Sequence, residues 1–175
     1  MNIVVIGTGY VGLVSGACFS EFGFNVTCID KDVEKIDRLK AGEIPIYEPG
    51  LEGLVARNYQ AGRLKFATTL ADNVCHADAV FIAVGTPTRR GDGHADLSYV
   101  FAAAKEVAAE LSDYTVIITK STVPVGTGRQ VEEVVKAANP EADFDVVSNP
   151  EFLREGSAIG DFTVSYTHLT LPTKA

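Results

Sequence analysis

The stretch "NIVVIGTGYVG" at residues 2–12 constrains the fold more than any other part of the chain. Residues 3–6 are apolar at every position, as in a parallel strand covered on both faces. The glycines follow as G-x-G-x-x-G, directly after that strand and opening a small-residue helix read over Tyr10–Phe22. In this context Gly7 permits a tight turn and Gly9 lets a pyrophosphate approach the backbone. Gly12 lets the helix close on the strand. The helix N-terminus then offers unpaired N–H groups and a positive dipole end to phosphates.

A second apolar run, "NVTCID", ends at Asp30, 18 residues past Gly12. That is near the spacing of about 20 at which an acid meets the ribose of a bound dinucleotide. A carboxylate there accepts from both ribose hydroxyls and repels a 2′-phosphate, which favours NAD over NADP. Lys31 and Lys35 soften that repulsion. The competing reading is a glycine-rich turn with Asp30 as a helix cap.

The rest of the chain repeats the alternation. Further strands are read at 64–69, 78–85, 115–120 and 144–149. Helices are read at 31–41, 51–59, 96–111 (capped by Asp96) and 126–138, with a short one near 70–76. Six strands separated by helices, with no hairpin signal, imply right-handed crossovers and parallel pairing. The expected fold is a doubly wound, Rossmann-type α/β sheet, mostly parallel, with helices on both faces.

Composition narrows the function. The net charge of -8 repels phosphate backbones and disfavours nucleic acid as a partner. No apolar run reaches membrane length, and Met1 leads straight into "IVVIG" with no signal-peptide pattern. The expectation is a cytoplasmic protein. Cys18, Cys28 and Cys75 form no CxxC and no zinc spacing, so they are read as reduced core thiols. His76 and His94 have no partner at metal spacing, and no metal site is expected.

In an open parallel sheet, ligands sit beyond the carboxyl ends of the strands. The loops there are "GTPT" (85–88), "KSTVPVGT" (120–127) and "NPEFLREGS" (149–157). They carry Thr86, Thr88, Lys120, Ser121, Thr122, Glu151 and Glu155. Each has a local alternative: Thr86 as a turn cap, Ser121 and Thr122 as caps for the following helix. Glu151 and Glu155 are four apart, so they share a face if the segment is helical. Their sharper reading is acid/base or water-positioning chemistry beside a nicotinamide.

"GTGYVGLVSG", "PIYEPGL", "VGTP…DGHADLS", "KSTVPVGT" and "NPEFLREGSAIGDF" together resemble the NAD-binding domain of the UDP-glucose/GDP-mannose dehydrogenase family, most closely its bacterial UDP-glucose branch. The resemblance runs from Met1 to about Phe162. It implies an NAD-dependent oxidoreductase that converts the C6 alcohol of a nucleotide sugar to a carboxylate with two NAD per turnover. UDP-glucose would become UDP-glucuronate, a polysaccharide precursor. It further implies that Gly7, Gly9, Tyr10, Val11 and Gly12 hold NAD, with Asp30 and Lys35 at the adenosine ribose. Thr86, Thr122 and Glu155 would also lie along the cofactor. Thr122 would help order the hydrolytic water. Glu151, Phe152, Leu153, Arg154 and Glu155 would line the substrate, and Thr122, Glu151 and Glu155 would serve the chemistry.

The family's nucleophilic cysteine and uridine-binding domain come later in its full-length members, and none of the three cysteines here matches that motif. Members dimerise through a region beyond this stretch. The expected parsing is therefore an NAD-binding domain over 1–162 and a non-family tail over 163–175, inactive alone. That tail reads either as a product of truncation or as a β-branched edge strand, and it shows no helical periodicity. An exposed apolar patch is expected around Phe152, Ile159 and Phe162. GDP-mannose and UDP-N-acetylhexosamine are the alternative substrates. A stand-alone NAD-sensing module is the alternative of another class.

Overall fold

The computed structural model describes residues 1–89 and 94–168, the last five as backbone alone. Residues 90–93 of the fourth-strand loop and 169–175 of the tail, both read above from sequence, lie outside the described residues.

Strands are β1 (Asn2–Ile6), β2 (Asn25–Ile29), β3 (Leu64–Ala67), β4 (Ala79–Ile82), β5 (Thr115–Thr119) and β6 (Phe144–Ser148). Helices are α1 (Tyr10–Glu21), α2 (Val33–Lys40), α3 (Leu51–Gln60), α4 (Ser98–Glu110), α5 (Thr127–Ala138) and α6 (Ala158–His168). The strands form one sheet in the order β3-β2-β1-β4-β5-β6. Every pairing is parallel, with Ile3 opposite Val26 on one side and Ala79 on the other. The chain reverses direction across the sheet between β1 and β4, which opens a crevice at their carboxyl ends.

Alternation along β1 builds two cores. Ile3 and Val5 face the cluster of α1, α2, α3 and α6. Val4 and Ile6 face the cluster of α4 and α5. β1 therefore reads as an unbroken apolar run because each face of the strand is covered.

Local chemistry sets the helix ends. Asp32 caps α2 by accepting from the Lys35 amide at 3.0 Å. Glu34 in its first turn, and Arg38 and Lys40 in its last, suit the helix dipole. Asp96 accepts from the Ser98 amide, but the residue flanking α4 is Leu97. The acid makes an i to i+2 turn one position early instead of serving as the N-cap.

Two expectations fail here. Residues 70–76 form turns, not a helix. Asp72 sits at φ 65°, and the Asn73 amide side chain bonds the Thr69 and Ala71 carbonyls. Those local bonds compete with a helical ladder.

The chain beyond Phe162 is helical as far as His168, so an edge strand is ruled out for 163–168. The helix owes less to its own periodicity than to packing: Ala158 and Phe162 are buried in the α1 core. The Phe162 ring meets Phe19 edge-on at 5.1 Å and lies 6.1 Å from Phe22. The expected apolar patch is thus only partly present: Phe162 is 5% exposed, Ile159 is half-buried and Phe152 is 77% exposed. α6 itself covers the surface that was expected to be bare.

Because Phe162 anchors α6, Phe162→Ala should cost about 3 kcal/mol of folding stability, as for other large-to-small aromatic truncations in cores. Urea unfolding of both chains measures it. A loss under about 1 kcal/mol would show that α6 is not held by this contact.

Candidate functional site: the carboxyl edge of the sheet

The glycine-rich turn is fixed by two close approaches. Gly7 has φ +98°, and a Cβ there would lie 2.6 Å from the Ala83 carbonyl oxygen. A Cβ on Gly12 would lie 1.9 Å from the Gly7 carbonyl oxygen. Neither position tolerates a side chain without moving backbone. Gly9 is different: a Cβ there would meet nothing within 4 Å. It faces open space at the start of α1, and no side chain caps that helix. The first-turn N–H groups, Tyr10 and Val11 among them, lack intrahelical acceptors by geometry.

Asp30 ends β2 beside this turn. Its Oδ2 accepts from the Thr8 amide (2.9 Å), the Thr8 hydroxyl (2.7 Å) and Lys35 Nζ (3.0 Å). Its Oδ1 accepts from the Asp32 amide at 3.1 Å. Burial pushes this carboxyl up, but the donors from Thr8, Asp32 and Lys35 outweigh it and hold the pKa at about 2. The cap of α2 is Asp32, so Asp30 is not spent on that task. Lys35 is spent on Asp30. Thr8, the middle residue of the G-x-G, was not singled out from sequence; a hydroxyl between two glycines, facing an acid, was the available signal.

Next to Asp30 opens a cleft of about 650 Å³. It is lined by Ile6 and Gly7 of the first loop, Ile29 and Asp30, Leu70, and Tyr99 and Ala103 of α4. The walls are mostly apolar, with Asp30, Lys31, Glu106 and Glu110 supplying charge and Thr68 and Thr69 supplying hydroxyls on the lining. That suits a planar base with its ribose at the acid. The contribution of the 68–71 turn and of α4 was invisible in the sequence, because both lie far along the chain from the glycine motif.

The other strand ends meet along the same edge. Thr86 Oγ1 donates to the Thr122 carbonyl at 3.2 Å, and Ser121 Oγ donates to the Val84 carbonyl at 2.7 Å. Thr122 is exposed and Thr86 half-buried. Lys120 is buried, donates to Asn149 Oδ1 at 3.2 Å and lies 5.8 Å from the Phe162 ring centre. Burial pushes its ammonium below the ordinary lysine range, against the opposing pull of the Glu151 charge.

Residues 149–154 form an irregular loop, and a turn follows at 155–157. The segment is the loop read from the sequence, so the condition for Glu151 and Glu155 to share a helix face is not met. The segment is not helical because side chains take its amides: Glu151 Oε1 accepts from the Leu153 amide, and Asp161 accepts from that of Arg154. Glu151 Oε2 is buried with no hydrogen-bond partner among the described residues. Glu155 is exposed at the turn, Phe152 is exposed, and Leu153 is half-buried against the α1 core. The Arg154 guanidinium turns onto Asp161 as a bidentate pair, 3.0 and 2.7 Å.

A further acid was overlooked. Glu48, within "PIYEPGL", is 6% exposed. It accepts from the Tyr10 hydroxyl (2.5 Å) and from the Gly156 and Ala158 amides (2.8 Å each). Burial pushes its carboxyl up, and these donors bring it below the usual range. No periodicity marks it in the sequence, since the connecting segment is irregular.

Among the described residues no cluster of His, Cys, Asp and Glu could hold a metal ion, and no helix is long and apolar enough to cross a membrane. Cys18 and Cys28 are buried, with both thiols pushed up to about 12 mainly by burial. Cys75 is half-buried.

Residues 1–167 match the UDP-glucose/GDP-mannose dehydrogenase family, NAD binding domain. A UDP-glucose 6-dehydrogenase of Rhizobium meliloti is 64% identical over 162 residues, covering 93% of this chain and 37% of the relative. The UDP-glucose 6-dehydrogenase TuaD of Bacillus subtilis is 57% identical, covering 91% of this chain and 35% of the relative. A solved GDP-mannose dehydrogenase from Pseudomonas aeruginosa superposes with TM-score 0.88 at 37% identity, covering 93% of this chain and 38% of that one. The chain thus spans little more than a third of the length of these relatives. It belongs to the UDP-glucose/GDP-mannose dehydrogenase family and carries that family's NAD-binding domain.

Proposed function

We propose that this chain is the NAD-binding portion of a cytoplasmic UDP-glucose 6-dehydrogenase, with a domain over 1–162 followed by a tail outside the family. The observation that carries the reading is the placement of a prepared dinucleotide cradle and an orphaned carboxylate oxygen on one sheet edge. The cradle is Gly9, the uncapped start of α1 and the ionised Asp30 beside the apolar cleft. The orphan is Glu151 Oε2. A buried, unpartnered acceptor is costly unless something supplies its donor. A sugar hydroxyl or a water is such a donor.

In this reading Gly7, Gly9, Tyr10, Val11 and Gly12 hold the pyrophosphate, and Asp30, steadied by Thr8 and Lys35, takes the ribose hydroxyls. Thr86 and Thr122 line the path toward the nicotinamide. When bound, NAD accepts hydride from an alcohol carbon. Thr122 orders the hydrolytic water, and Glu151 and Glu155 do the acid/base work, taking the proton that the C6 hydroxyl oxygen gives up, with Glu155 also at the cofactor side. Phe152, Leu153 and Arg154 shape the sugar site. UDP-glucose is preferred to GDP-mannose or a UDP-N-acetylhexosamine because the 64% and 57% identical relatives are UDP-glucose 6-dehydrogenases. The complete protein acts as a homodimer, with its thioester-forming cysteine outside this chain.

Titration calorimetry should show NAD bound more tightly than NADP. Asp30→Ala should weaken NAD at least about tenfold, in keeping with loss of hydrogen bonds to a charged acceptor. Equal binding of NAD and NADP would overturn the assignment of Asp30.

A second expectation concerns turnover. The chain mixed with NAD and UDP-glucose should give no NADH absorbance. Sustained NADH formation would disprove the placement of the nucleophile elsewhere.

Acid stability offers a third check. Asp30 has its pKa lowered to about 2, so its stabilisation is present above the ordinary carboxylate range, near pH 4, and is lost as pH falls toward 2. Asp30→Asn should flatten that part of the stability profile. An unchanged acid slope in the variant would show that other carboxylates govern it.

A further inference from the structure

Glu48 lies in none of the strand-end loops, yet it touches two of the elements that build the site. It sits between α2 and α3, nearly excluded from solvent. One donor comes from the first turn of α1, the Tyr10 hydroxyl at 2.5 Å. Two come from just past Glu155, the Gly156 amide in the turn and the Ala158 amide at the start of α6, at 2.8 Å each. The Tyr10 hydroxyl also lies 3.4 Å from the Arg154 carbonyl.

The proton position in this cluster is settled by environment. Burial, then the bond to Glu48 and its charge, push the Tyr10 phenol up to about 12. The Glu48 carboxyl is held below its usual range. At neutral pH the phenol donates and the carboxylate accepts, so the link is a charge-assisted bond of fixed direction. The loop is pinned a second time by Asp161, which takes the Arg154 amide and guanidinium. Asp161, however, belongs to α6; toward the glycine-rich helix start the loop is tied by Glu48 through the short Tyr10 bond, and by the longer contact of the Tyr10 hydroxyl with the Arg154 carbonyl.

We propose that Glu48 is a positioning residue: through the Tyr10 hydroxyl it ties the Glu151–Glu155 loop to the glycine-rich turn, so that filling the dinucleotide cradle steadies the loop. This deepens the reading above and rests on it for what occupies the cradle. A ligand on the first-turn amides of α1 restrains the Tyr10 backbone. Tyr10 then restrains Glu48, and Glu48 the amides of Gly156 and Ala158.

Amide hydrogen exchange on the whole chain tests the proposal. Without ligand, Glu48→Gln should speed exchange at Gly156 and Ala158 about tenfold or more, while amides of β1 and β4 keep their rates. Unchanged rates at 156 and 158, or a rise shared equally with β1 and β4, would overturn it; the shared rise would mark a general packing role. With saturating NAD, exchange at 156 and 158 should slow in the wild-type chain and not in Tyr10→Phe, which keeps the ring and removes only the donor. Slowing that persists in Tyr10→Phe, or is absent from the wild type despite bound NAD, would also overturn it. Should Glu48→Gln fail to fold, Glu48→Asp, whose shorter side chain cannot hold Tyr10 and both amides together, takes its place with the same expected and overturning outcomes. A wild-type chain that binds no NAD refutes the functional reading, and the ligand-free comparison then decides the role of Glu48.

Discussion

The approach of α1 to the β1–β4 edge is the constraint on which the rest depends. At Gly12 the helix comes so near the Gly7 carbonyl that no Cβ fits. That contact sets where the helix begins, and hence where its uncapped N–H groups point. It also sets where Tyr10 leaves the helix surface to reach Glu48. Because the sheet is wholly parallel, every other strand ends at the same rim. One steric fact at the first turn therefore places the first-turn amides of α1, the Asp30 carboxylate and the 149–157 loop in a common frame.

The fold was largely legible, because its signals are local and repeated. β1 and β4 announce themselves by continuous apolar runs, and Gly126 opens the helix read over 126–138. Legibility failed where neighbours along the chain did not decide the outcome. In residues 70–76 side-chain bonds from Asn73 defeat a helix that composition alone allows. Beyond Phe162 the reverse happens: a stretch with poor helical periodicity is helical because Phe162 and Ala158 find α1. Tertiary burial supplies what local propensity lacks.

The site divides in the same way. The glycines and Asp30 were legible because their spacing is part of their chemistry. The partners of Asp30 divide: Lys35, 5 residues on, was already read beside the acid, whereas Thr8, 22 residues back, matters only through where it converges. The carboxylate pair in "NPEFLREGS" illustrates the limit of spacing arguments. Four residues apart implies one helical face, yet the loop is irregular and the two acids differ. Glu151 holds a buried oxygen without a partner, whereas Glu155 stands in solvent. Glu48 was hidden because a long-range hub leaves no periodic trace.

The Glu48 hub also bears on the order in which this domain can be made. Its carboxylate lies near the N-terminal end of the chain, but two of its amide donors arrive 108 and 110 residues later. At synthesis rates of about 5–20 residues per second, that interval is on the order of 5–20 s. Throughout it, Tyr10 is the partner already available, because the amides of Gly156, Ala158 and Ile159 all come later. A carboxylate with too few donors resists burial. The segment between α2 and α3 thus stays water-facing on the nascent chain until β6 and the start of α6 have emerged. The first half of the sheet can pair early, but the segment that holds Glu48 completes its bonds last.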